Sequence, residues 1–84
     1  MVTETTLAKK QVRYGSQSYT LCYRLIDHEE KGYGIEIICR SFGKRERECV
    51  FLKARKGEVE RILRLFAKET VFPIALRETL DNYL

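Results

Sequence analysis

A chain of 84 residues has room for one domain, and a domain this short buries only a little over ~60% of the surface its unfolded chain exposes, so its core is thin and a partner would add to its stability. With 44% hydrophobic and 33% charged residues the composition is globular rather than disordered. No apolar run approaches the ~20 residues of a membrane span, and the opening MVTETTLAKKQ has no apolar signal core, so we expect a cytoplasmic protein with no membrane partner.

The net charge of +4 is uneven. Residues 40–64 hold nine Lys or Arg against four Glu, which leaves +5 there and −1 over the remainder. The three cysteines, Cys22, Cys39 and Cys49, are odd in number and lack CxxC spacing, the pattern of reduced thiols in a reducing compartment.

Hydrophobicity alternates with period two up to about residue 53 and follows the helical period after about residue 57. The chain therefore reads as a single α+β domain over 1–84, a sheet over 1–53 and a helical pair over 54–84. A first strand over Leu7–Tyr14 alternates poorly, which places it at an edge blunted by Lys9, Lys10 and Arg13. Gly15-Ser16 turns the chain into a second strand at Tyr19–Asp27, with Tyr19, Leu21, Tyr23 and Leu25 on one face. The third, Tyr33–Ser41, puts Tyr33, Ile35, Ile37 and Cys39 on one face. Pairing Leu25 with Ile35, Tyr23 with Ile37 and Leu21 with Cys39 keeps both apolar sets together. It also sets Arg24 against Glu36 and Gly34 against Ile26. A fourth strand runs from about Arg45 to Leu52, its inward face open between Cys49/Phe51 and Val50/Leu52. These make a four-stranded antiparallel meander.

A helix starts near Gly57, with Glu58 and Glu60 at its positive end and an apolar stripe of Val59, Ile62, Leu63, Leu65 and Phe66. Pro73 ends it and opens a shorter helix carrying Ile74, Leu76, Leu80, Tyr83 and Leu84. Both helices should cover the odd-residue face of the sheet, which claims Tyr19, Tyr23 and Tyr33 for the core.

No catalytic constellation emerges, and we expect no enzyme and no cofactor. Cys22, Cys39, Cys49 and His28 have the ligand types of a zinc site. Their spacing does not match a finger or ribbon, and the register sends Cys22 and Cys39 to opposite faces. His28 sits in an acidic polar turn, Asp27-His28-Glu29-Glu30, without an apolar wall. Gly32-Tyr33-Gly34 lacks the rest of a phosphate loop.

The basic region carries the functional signal: Arg40, Lys44, Arg45 and Arg47 at one hairpin, Lys53, Arg55 and Lys56 at the strand-to-helix junction. Two readings follow. The first is a small non-enzymatic interaction or regulatory module, binding an unidentified protein partner or a second copy through a sheet edge, the Phe42 and Phe72 turns or the Tyr83–Leu84 end. The second is a nucleic-acid-binding accessory protein that tracks phosphates with the basic 40–56 region; against it stand the interleaved Glu46, Glu48, Glu58 and Glu60 and the loss of the tyrosines to the core.

The Tyr33-Gly34-Ile35-Glu36-Ile37 strand, together with Pro73-x-x-Leu76…Leu80-Asp81-Asn82-Tyr83-Leu84, resembles an uncharacterised family of small bacterial proteins. That resemblance implies a bacterial cytosolic domain and carries over no functional residue.

Overall fold

A computed structural model describes residues 1–83. Four strands, β1 (Val2–Tyr14), β2 (Gln17–His28), β3 (Gly32–Ser41) and β4 (Lys44–Leu52), pair antiparallel in the order β1-β2-β3-β4. Helix α1 (Lys56–Lys68), a 3-10 turn (Pro73–Ala75) and helix α2 (Leu76–Asp81) follow. The meander and helical pair expected from periodicity are both present.

The central register is the one the alternation dictates: Leu25 opposes Ile35, Tyr23 opposes Ile37, Leu21 opposes Cys39, Arg24 opposes Glu36 and Ile26 opposes Gly34. A one-residue slip would turn one strand's apolar set to the opposite face, and this pairing keeps both sets together. The odd-residue face is the covered one. Leu21, Tyr23, Leu25, Ile35, Ile37 and Cys39 form a single core with Leu52, Val59, Leu63, Phe66, Leu76 and Leu80. Tyr19 and Tyr33 pack against it, half-buried. α1 lies over β1, β2 and β3, while the 3-10 turn lies over β3 and β4 and α2 over β4.

β1 departs from the expectation. It starts at Val2, five residues before the predicted Leu7. Its register shifts between Thr6 and Ala8, and this bulge reverses the facing of everything after it. Before the bulge Thr5 shares a face with Leu25; after it Ala8, Lys10 and Val12 share that face with Tyr23, Leu21 and Tyr19. One strand with two parities cannot alternate cleanly, which accounts for its weak pattern.

Lys10 therefore points under α1 instead of blunting the edge. Its Nζ donates to the Ala67 carbonyl at 3.1 Å and to Thr70 Oγ1 at 2.7 Å. A cation there meets the negative end of the helix dipole, and the Ala67 carbonyl accepts the Thr70 amide as well at 3.3 Å. Thr70 itself holds a left-handed φ of 58°, and the Val71 amide reaches back to the Phe66 carbonyl at 3.0 Å, the wrap-back that ends a helix in a Schellman motif.

The open choice in β4 resolves in favour of Val50 and Leu52, which oppose Ile35 and Tyr33 on the covered face. Cys49 and Phe51 face the other way, opposite Glu36 and Gly34. Phe51 explains Gly34: a Cβ there would lie 2.9 Å from Phe51 Cδ1 and 3.1 Å from the Val50 carbonyl oxygen, so the missing side chain seats the ring.

Two apolar residues of the C-terminal unit differ from their expected roles. Ile74 sits in the 3-10 turn ahead of α2 and is 89% exposed; two residues before Leu76, it lies on the side away from the Leu76–Leu80 stripe. Phe72 is half-buried rather than a free anchor, with its ring 6.1 Å from that of Tyr14 and 5.7 Å from that of Tyr19. Leu84, assigned by pattern to α2 and the possible dimer end, lies outside the described residues.

The helix-to-helix linker is fastened to the sheet by Tyr23, whose buried hydroxyl donates to the Val71 carbonyl at 3.0 Å. Burial, then Cys39 and Tyr14, raise its pKa far above 10.0. The folded state thus keeps a proton that the unfolded chain releases from about pH 10 upward, so stability declines as pH rises past that point. Tyr23→Phe should cost about 1–2 kcal/mol at neutral pH and lose this alkaline decline, which denaturant titrations at neutral and alkaline pH would reveal. An unchanged decline in the variant would place its origin elsewhere.

Candidate functional site

The face opposite the helices carries no element of the fold, and its residues follow from the register. Across the four strands, rows of side chains point to it together: Glu4–Ile26–Gly34–Phe51, then Thr6–Arg24–Glu36–Cys49, then Lys9–Cys22–Ile38–Arg47, then Gln11–Thr20–Arg40–Arg45. Arg13 and Ser18 continue the last of these towards the turns.

The pleat sorts the β4 charges. Arg45 and Arg47 point to the open face, whereas Glu46 and Glu48 oppose Cys39 and Ile37 on the helix side. There Glu48 meets Arg77 of α2 at 3.2 Å. The interleaving that dilutes the charge along the sequence is thus a separation in space. Lys9, Arg13, Arg24, Arg40, Arg45 and Arg47 face outward together against two acids, Glu4 and Glu36.

Both acids are already spent. Glu36 is only 2% exposed although no helix covers it, and Arg47 Nη2 reaches its Oε2 at 2.6 Å while Arg24 Nη1 lies 3.3 Å from its Oε1. Arg24 also bonds Glu4, completing a Glu4–Arg24–Glu36–Arg47 ladder across all four strands. Arg24 Nε and Glu36 Oε1 still lack a hydrogen-bond partner among the described residues.

Arg40 and Arg45 have no such acid. They sit directly opposite one another, both exposed, and like charges in a cross-strand pair are destabilising. Among the described residues neither makes an ion pair, nor do Lys9 and Arg13.

The basic patch read from sequence therefore divides. Arg40, Lys44, Arg45 and Arg47 gather at the β3–β4 hairpin. Lys53, Arg55 and Lys56 lie beyond the other end of β4, roughly 25 Å away at strand rise. The hairpin cluster instead gains Lys9, Arg13 and Arg24. Sequence reasoning missed Lys9 and Arg13 because the bulge hid which β1 residues share a face with β2, and it left Arg24 out because that residue reads there only as the partner of Glu36.

The thiols do not converge. Cys39 is in the core, while Cys22 and Cys49 lie in different rows of the open face on β2 and β4, about 10 Å apart laterally at the usual strand spacing. Burial pushes the Cys39 and Cys49 thiols up, assisted by Glu46 at the first and Glu36 at the second, which opposes thiolate chemistry. His28 is half-buried against the edge of Phe51, rings 5.8 Å apart, rather than in an open turn. Its Nδ1 accepts the Glu30 and Lys31 amides at 3.2 and 3.1 Å, so it caps the turn between β2 and β3. No described helix is long and apolar enough to cross a membrane.

At the hairpin end, pairing between β2 and β3 stops at the Thr20–Arg40 row, and the two hairpins part. A cleft of about 540 Å³ opens between them, lined by Ser16, Gln17 and Ser18 on one side and Ser41, Phe42 and Lys44 on the other.

Comparison with curated proteins returned no match, and neither did comparison with solved structures. Residues 2–84 match the model of a family of unknown function, DUF6514, and the chain belongs to that family.

Proposed function

We propose that this protein is a non-enzymatic binding module whose open sheet face docks a nucleic-acid backbone. The opposed pair Arg40–Arg45 carries the reading. Two exposed guanidinium groups held in register cost stability, and an anion between them reverses that cost. Lys9 and Arg13 extend the same face without an acid to neutralise them. The ladder leaves Glu4 and Glu36 already paired, so a phosphate chain meets little competing charge. Among the described residues the cations of this face outnumber its neutral polar side chains, Thr6, Gln11, Ser18 and Thr20, so the face should follow backbone more than sequence.

A protein partner at the β4 edge is the weaker reading. Arg45, Arg47, Glu46 and Glu48 charge both faces of that edge, the usual protection against an added strand.

Fluorescence anisotropy with short single-stranded RNA and DNA tests the proposal. Four phosphate contacts give a salt slope near −3, so affinity should fall about fifty-fold between roughly 50 and 200 mM salt. Arg40→Glu with Arg45→Glu should abolish binding, and Lys53→Glu with Lys56→Glu should leave most of it. No binding at the lower salt, or equal loss in both double variants, would sink the proposal.

A further inference from the structure

The fork between the two hairpins offers chemistry distinct from that of the flat face. Beyond the Thr20–Arg40 row, strands β2 and β3 no longer pair, so facing backbone groups of the two jaws are left free of the ladder. Three serines, Ser16, Ser18 and Ser41, line the gap together with Lys44. Gln17 is oriented: its Oε1 accepts the Tyr19 hydroxyl at 2.6 Å, which leaves its NH₂ as the free end. Hydroxyl, amide and ammonium donors without a carboxylate in the lining suit a phosphate.

Phe42 adds a second element. It stands at the tip of one jaw, lines the cleft, and is fully exposed. A solvated phenylalanine at a hairpin tip contributes nothing to the core, and its ring can take a base by stacking. The volume, about 540 Å³, falls within the range of small-ligand sites.

We infer that the fork binds a nucleoside monophosphate, with the base on Phe42 and the phosphate at Lys44 and the serine hydroxyls. This does not depend on the open-face proposal, because a free mononucleotide is the ligand tested. The same chemistry ends a 5′-phosphorylated strand, and a phosphorylated trinucleotide distinguishes the two sources: tighter binding than the mononucleotide assigns the fork to a strand end, equal binding to a free nucleotide.

The experiment is an amide-resolved NMR titration of the full chain with purine and pyrimidine monophosphates, the matching nucleosides, and inorganic phosphate. Monophosphates should shift Ser16, Ser18, Ser41 and Lys44 and bind at least about tenfold more tightly than nucleoside or phosphate alone, the factor worth ~1.4 kcal/mol. Phe42→Ala, at a site with no packing to lose, should cut that affinity by about tenfold or more. Lys44→Ala should erase the advantage of monophosphate over nucleoside, while Lys53→Glu, at the far end of β4, leaves both intact. Absence of shifts at about 5 mM nucleotide, or equal affinity for phosphate and nucleotide, overturns the inference.

Discussion

Phe66→Ala should cost about 3–5 kcal/mol, the largest loss expected from a single substitution in this chain. Phe66 is fully buried on α1 among Val59, Leu63, Tyr23 and the sheet, and its ring lies 5.5 Å from that of Tyr83. A domain of 84 residues has a total stability on the order of 4–13 kcal/mol at typical values per residue. A loss of that size is a large share of the total, so the chemical-denaturation midpoint of the variant should lie well below that of the parent. Phe66→Leu, which retains most of the volume, should keep the midpoint much closer. Equal loss in both would mean that this helix contributes through something other than packing.

Arg24→Met should cost about 2–3 kcal/mol, and the loss should be largely recovered by adding Glu36→Leu. Glu36 is 2% exposed and Arg24 23% exposed. Removing the arginine leaves a desolvated carboxylate with Arg47 alone, and Arg47 is 59% exposed and screened by solvent. Breaking one side of a buried pair is costly, whereas replacing the whole pair with apolar groups is often neutral or favourable. The figure is set below the usual range for buried pairs because of the exposure of Arg47. Equilibrium unfolding of the two single variants and the double completes the cycle. A double variant less stable than Arg24→Met alone would show that the ladder stabilises by its charges rather than being tolerated.

Much of this architecture is written in local periodicity. Leu21, Tyr23 and Leu25 in β2 and Ile35, Ile37 and Cys39 in β3 fall at alternate positions, with Cys22 and Ile38 the departures, so facing follows from the sequence and the Arg24–Glu36 pair then selects the register. β4 resists the same treatment because Cys49, Val50, Phe51 and Leu52 are apolar at both parities. The charges in its first half do not settle the question, since a solvated edge accepts either sign on either face. β1 resists because the shift after Thr6 is a backbone event with no sequence signature as strong as a glycine. For the site, the basic hairpin and the junction cluster of Lys53, Arg55 and Lys56 are both visible in the sequence, but the union of the hairpin with Lys9 and Arg13 needed the bulge. Ile74 shows the converse error: its apolar type groups it with Leu76 and Leu80, although helical spacing sets it on the other side, and it is exposed.

The sorting of Arg45 and Arg47 from Glu46 and Glu48 by the pleat ties two properties to one parity. Moving β4 by a single residue along β3 would bring both glutamates to the open face and both arginines beneath the helices, reversing the sign of the surface field. The same step would withdraw Val50 and Leu52 from the core. A one-residue insertion in the Phe42–Gly43 turn is therefore a different kind of change from a substitution in it. Point changes grade the charge of the face, while a change of length there inverts it and opens the core together, so the packing of two aliphatic side chains guards the polarity of the opposite surface.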